Sequence, residues 1–231
     1  MISWEIKEGC INKIFYKGKN LILPWGVETA DDCGHFSLEL FKGYRFKVLK
    51  EFKKNTSTRN LVLYEIKMKN SHFLLFLYEY LCKKKCYIKR SIKITFLKKS
   101  LLMDFVLRQR FIKENIESVF ISNKKIIHKN SNMYHQFAVN HSKLIGFEND
   151  ILIKSSFEHD HDLSNVMYAR DSDNEWIIHV RVLPKNDKNC IIKLCNNHFF
   201  TRSIPMVISR IIFYLFPSFK SNNLYRTEFS P

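Results

Sequence analysis

Between positions 87 and 97 the chain alternates almost residue by residue. Ile88, Ile92, Ile94 and Phe96 interleave with Lys89, Ser91, Lys93 and Thr95. A period of two sets one row of side chains against a core and the other toward water, the pattern of a half-buried strand. The same rhythm runs through 176–182, where Trp176, Ile178, Val180 and Val182 share one face and Ile177, His179 and Arg181 the other. Strands are also predicted over 61–69, 73–81 and 101–111, and shorter ones over 119–121, 125–128, 134–140, 151–157, 166–169 and 190–195. Near the start, Ile11, Ile14 and Phe15 lead to a turn at Lys17-Gly18-Lys19-Asn20 and on to Leu21-Ile22-Leu23. Gly and Asn supply the backbone angles such a turn needs. Pro24-Trp25-Gly26 reads as a break, followed by a long strand or bent hairpin over 35–50 carrying Phe36, Leu38 and Leu40.

The C-terminal part has another period. The apolar run 206–216 lies between Pro205 and Pro217, which suit the first turn and the end of a helix. The pattern therefore predicts a mainly β protein: an antiparallel β-sandwich over 1–200, with a short C-terminal helix and tail over 201–231 packed on it. A length of 231 residues with 45% hydrophobic residues suffices for one such domain.

Charge narrows the partners. Thirty-eight Lys and Arg against twenty-two Asp and Glu leave +16, which favours an anionic membrane, nucleic acid or acidic glycan as neighbour, or simply a solvated lysine-rich surface. Glu5 and Glu8 interrupt the N-terminus where a secretory leader would be apolar, and no run reaches the roughly 20 apolar residues of a membrane span. A cytoplasmic protein with reduced thiols is the expectation. The helix over 206–216 is too short to span a bilayer, but residues 203–217 with Arg202, Arg210 and Lys220 could make a peripheral membrane contact.

Candidate chemistry is sparse. A Gly-rich phosphate loop and a Gly-x-Ser-x-Gly elbow are both absent, and no cofactor is expected. On the strand over 101–111, Phe105, Leu107 and Phe111 oppose Asp104, Arg108 and Arg110, which either line a polar groove or form cross-strand ion pairs. His179 and Arg181 share a face opposite Trp176; imidazole can exchange a proton while guanidinium holds a carboxylate or phosphate. Trp4, Trp25 and Tyr134 are candidate platforms for the apolar face of a sugar. In Phe157-Glu158-His159-Asp160-His161-Asp162, an extended backbone sets His159 and His161 on one side, where they could hold a divalent metal given a third ligand; an exposed acidic loop explains the same letters.

The segments Gly9-Cys10-Ile11-Asn12-Lys13-Ile14 and Gly18-Lys19-Asn20-Leu21-Ile22 resemble the opening hairpin of the galactose-mutarotase-like β-supersandwich. Arg90-Ser91-Ile92-Lys93-Ile94 followed by Leu102-Met103-Asp104-Phe105-Val106 is similar to paired strands in the versions found in polysaccharide lyases. The resemblance covers about residues 1–195. It implies a concave, sugar-directed face and, because a His and a Glu transfer protons in mutarotases, it points to His135 and Glu175 beside His179 as catalytic candidates. Arg108, Arg110, Arg181, Trp25 and Tyr134 are then the substrate-binding candidates. The expected function is binding or modification of a carbohydrate, an acidic glycan in polysaccharide metabolism, with lyase, epimerase or mutarotase-like chemistry if it is an enzyme. The alternative is a non-catalytic basic protein that binds an anionic membrane surface, a partner protein or nucleic acid.

Overall fold

The structure is a computed structural model that describes residues 1–31, 47–68, 72–97, 102–121, 124–131, 134–137, 141–147, 151–160, 163–184 and 221–230. For 30–31, 102–104, 134–137, 141, 159, 163–166, 183–184 and 221–230 the description is of the backbone. Strands dominate it. In chain order they are β1 (Ile2–Lys7), β2 (Cys10–Tyr16), β3 (Lys19–Asn20), β4 (Ile22–Asp31), β5 (Lys47–Asn55), β6 (Arg59–Lys67), β7 (His72–Cys82), β8 (Tyr87–Phe96) and β9 (Leu102–Ile112). There follow β10 (Ser118–Ile121), β11 (Lys124–Ile127), β12 (Tyr134–Phe137), β13 (His141–Ile145), β14 (Leu152–His159), β15 (Leu163–Ser172), β16 (Glu175–Pro184) and β17 (Ser221–Ser230).

All strand pairs among the described residues are antiparallel. A nine-stranded sheet runs β11-β10-β13-β14-β17-β8-β7-β6-β5, a five-stranded sheet runs β12-β15-β16-β9-β4, and β1-β2-β3 form a small third sheet. The turns of that small sheet are chemically transparent. Glu8-Gly9 and Lys17-Gly18 each place two successive residues at positive φ (52° and 82°, 50° and 81°), the twist-matched hairpin turn in which Gly takes the second position. Gly9 has a second reason to be glycine, since a Cβ there would meet Val62 Cγ2 at 3.0 Å.

Alternation builds the core. In β8 the residues Ile88, Ile92 and Ile94 are buried, in β7 Phe73, Leu75, Leu77 and Leu81, and in β16 Trp176, Ile178, Val180 and Val182. These inward rows join those of β9 and β4 in one apolar cluster, so the large sheets share a single core. Two of the charged residues at inward positions face each other. Glu79 on β7 and Arg90 on β8 are register partners, 0% and 1% exposed, and the Arg90 Nε–H donates to Glu79 at 2.6 Å. Asn60 on β6 donates its amide to Glu79 at 2.7 Å and to the Gly9 carbonyl at 2.9 Å, tying the small sheet to the large one.

Two elements differ from the sequence expectation. Pro24-Trp25-Gly26 does not break the chain: β4 runs through it with a register shift between Leu23 and Gly26. A bulge tolerates a proline because the ladder hydrogen bond it cannot donate is already interrupted there. The segment Ser221–Ser230 was read as tail, yet it is β17, seated between β14 and β8 in the largest sheet. Its hydrogen bonds are made by backbone, which a polar sequence supplies as well as an apolar one. Positions 35–46, the strand over 190–195 and the helix over 206–216 lie outside the described residues.

Candidate functional site

The outward face of the five-stranded sheet gathers the polar side chains. On β9, Val106, Arg108 and Arg110 alternate with buried Phe105, Leu107 and Phe111. On β16, Glu175, Ile177, His179 and Arg181 alternate with the buried row that begins at Trp176. Antiparallel register sets His179 directly opposite Arg108 on one side and Tyr168 of β15 on the other. Arg170 of β15 stands opposite Ile177, one diagonal step from His179. Four sequence candidates, Arg108, Arg110, His179 and Arg181, therefore come together on one face.

Ion pairs fix the outer two arginines. Gly26 of β4, opposite Arg108, brings no side chain, and Arg108 Nη1 reaches Glu28 at 2.8 Å with both groups largely buried. Arg110 makes a two-pronged contact with Glu175, Nε to Oε2 at 2.5 Å and Nη2 to Oε1 at 2.9 Å. Arg108 and Arg110 thus share a face and form ion pairs with neighbouring strands. The candidate acid Glu175 is held as the partner of Arg110. Tyr168 adds a hydroxyl that accepts from Arg181 Nη1 at 3.4 Å.

His179 is the electrostatic centre of this face. Burial, and then the guanidiniums of Arg108, Arg181 and Arg170, push its imidazole from 6.5 down to about 3. Each cause disfavours the charged ring, so His179 is neutral at neutral pH. The linkage has a definite sign. Between about 6.5 and 3 the unfolded chain holds a proton on this ring that the native protein does not. The native state therefore gains nothing from this group above that window and loses stability as the pH falls through it, by up to about 1.4 kcal/mol per pH unit. Urea unfolding at about pH 6 and about pH 4 should show a shallower loss for His179→Gln than for the parent. Equal slopes would assign the acid sensitivity to other groups.

The remaining candidates fall elsewhere. Trp25, expected as an exposed platform, is 1% exposed. It packs edge-on against Phe111 at 5.7 Å, lies under the Arg90 guanidinium at 5.6 Å and donates its indole N–H to the Arg110 carbonyl at 3.2 Å. The β4 bulge turns it into the core, which corrects that expectation. On β12, Tyr134 is opposite Arg170, at the rim of the polar face by register, while His135 is opposite buried Ala169. His159 ends β14 in the other sheet, opposite Asn223, and His161 lies outside the described residues. Among the described residues no group of three His, Cys, Asp or Glu could hold a metal, and no helix is long and apolar enough to cross a membrane.

His128 is committed to structure. Its Nε2 faces the carbonyls of Ser172 (3.2 Å) and Glu175 (3.0 Å), so Nε2 carries the proton, while Nδ1 accepts from the Asn130 amide at 3.4 Å. The ring stands edge-on to Trp176 at 4.9 Å. Buried Asp171 anchors the same loop. It accepts from the Lys129 amide at 2.8 Å, the Ser131 amide at 3.1 Å and the Ser131 hydroxyl. Burial raises its pKa, but those hydrogen bonds outweigh burial and hold the carboxyl below its ordinary value. Together these contacts lock the β15–β16 hairpin that carries His179. Sequence reasoning missed Glu28, Tyr168 and Arg170. Tyr168 lay on the strand predicted over 166–169 and Arg170 one residue beyond its end, on the same face if the strand continues; Glu28 had no signal, because its partner is set by the β4 bulge.

Comparison with known proteins places the architecture. No family model matches the chain, and no curated protein matches it in sequence. Among solved structures, the Slr1438 protein from Synechocystis sp. PCC 6803 is similar in fold, with a TM-score of 0.53 at 9% identity over 99% of this chain and 91% of that one. The alpha-N-acetylgalactosaminidase NagBb from Bifidobacterium bifidum matches 83% of this chain and 36% of its own, with a TM-score of 0.46 at 7% identity. The galactosidase domain of the alpha-galactosidase-sucrose kinase AgaSK matches 89% of this chain and 30% of its own, with a TM-score of 0.43 at 8% identity. At these identities the likeness to Slr1438 speaks for the fold alone. The protein is a mainly β, antiparallel multi-sheet protein.

Proposed function

We propose that the chain is a galactose-mutarotase-like supersandwich whose Arg108–His179–Arg181 face recognises an acidic sugar. The observation that carries this reading is the placement of a buried, neutral imidazole among Arg108, Arg170 and Arg181. Guanidinium forks match a carboxylate, and the imidazole and the Tyr168 hydroxyl suit the adjacent ring hydroxyls. A carboxylate seated there would offset the repulsion that keeps His179 neutral. The ring then becomes a stronger base in the complex than in the free protein, as proton transfer from a sugar requires.

Calorimetry with tri-galacturonate and its methyl ester tests the reading. The acid should bind and the ester, which keeps the shape and loses the charge, should bind far more weakly. Arg108→Ala or Arg181→Ala should each weaken the acid by about ten- to a hundredfold, the worth of one hydrogen bond to a charged group. Equal binding of acid and ester, or variants that bind as the parent does, would sink it.

A further inference from the structure

On the far side of the core, the outward face of the nine-stranded sheet carries an apolar patch. Along β7 the outward positions Phe76, Tyr78 and Tyr80 are half-buried, between the core residues Leu75, Leu77, Glu79 and Leu81. Register extends the row in both directions. Leu63 of β6, 37% exposed, lies beside Phe76 and Phe52 of β5, 52% exposed, beside Leu63, while Leu61 lies beside Tyr78. Tyr87 of β8 meets Tyr80 edge-on at 6.4 Å. Two-residue steps along a strand are about 6.8 Å and strands are about 4.8 Å apart, so these side chains form one continuous platform.

Ammonium groups rim it on both sides. Lys50 and Lys54 stand on the β5 edge, Lys89 and Lys93 on β8 opposite Tyr80 and Phe76, and all four are exposed. Glu65, the carboxylate within the patch, is already engaged by Lys50 at 3.3 Å and His72 at 2.8 Å. Three of the five rings are tyrosines, whose hydroxyls suit a ligand dense in hydroxyls. The rings offer faces on which sugar C–H groups pack, while the leucines set between them interrupt the unbroken stacking that nucleic-acid bases make on aromatic rings.

We infer that this face is an accessory platform for an extended acidic polysaccharide, whose sugars lie on the Phe52–Phe76–Tyr78 rings and whose carboxylates meet the flanking lysines. The inference rests on the acidic-sugar reading above and makes the ligand of that site a polymer. A chain long enough to touch both faces gains effective concentration, so long polygalacturonate should bind the intact protein about a hundredfold more tightly than the trimer. Tyr78→Ala should remove that advantage and leave trimer binding unchanged. Lys54→Glu with Lys93→Glu, which alters only exposed charges and spares the fold, should do the same. A polymer that binds no better than the trimer, or an advantage that survives these variants, would overturn the platform while the Arg108 site stands. Tighter, platform-dependent binding of oligothymidylate or of phosphatidylserine vesicles would overturn it in favour of those ligands. Failure of trimer and polymer alike would remove both readings.

Discussion

Glu79→Ala should destabilise the protein by about 3–5 kcal/mol, among the largest losses available to a single substitution. Glu79 and Arg90 are buried together between the sheets, and the carboxylate is the group that accepts from both Arg90 and Asn60. Removing it leaves a guanidinium charge in the core with its Nε–H donor orphaned. The attraction between the two charges is a poor measure of that loss, because burying them was itself unfavourable. Replacing both together, as Glu79→Leu with Arg90→Met, should therefore recover most of the stability. Urea unfolding of the two variants separates the cases. If the double variant is as unstable as Glu79→Ala, the pair contributes specific geometry rather than compensation for its own burial.

Trp25→Ala should cost a further about 3–5 kcal/mol in its own right, the range for emptying a large aromatic site in a core. The indole loses its edge contact with Phe111, its position under Arg90 and its hydrogen bond to the Arg110 carbonyl. Trp25→Phe keeps a ring in the site and should lose only about 1 kcal/mol with the hydrogen bond, plus a small packing term. Were Trp25 an exposed sugar platform, the Ala variant would unfold like the parent and fail only in binding. Thermal unfolding distinguishes these outcomes without any ligand. Because Trp25 touches Arg90, its effect and that of Glu79→Ala should not add.

The placement of Trp25 shows where sequence reading stops. An aromatic residue between Pro24 and Gly26 looks like a loop residue, and nothing local says otherwise. One extra residue in β4 relative to β9 rotates it into the core. The same limit hid the buried pair. Arg90 stands at an inward position of the clearest alternating strand in the chain, and Glu79 at an inward position of the strand before it. Each alone looks like a solvated charge, and only pairing across the hairpin makes them partners. Arg108, Arg110, His179 and Arg181 were legible because period two is a local property: whichever sheet a strand joins, its alternate side chains share a face.

What the sequence determined by itself was the class of fold, the course of most strands and the two faces of β9 and β16, since these follow from alternation and turn chemistry within a few residues. Which strands become neighbours was decided by tertiary structure. Backbone hydrogen bonds carry no side-chain signature, so β17 could enter the largest sheet from a polar tail, and β9 could lie between β4 and β16 although the three are far apart in the chain. That pairing puts Arg108 opposite His179, brings Glu28 to Arg108 and sets Arg170 and Arg181 around one buried imidazole. Low dielectric in the packed site then turns a set of ordinary basic residues into a neutral histidine among guanidiniums.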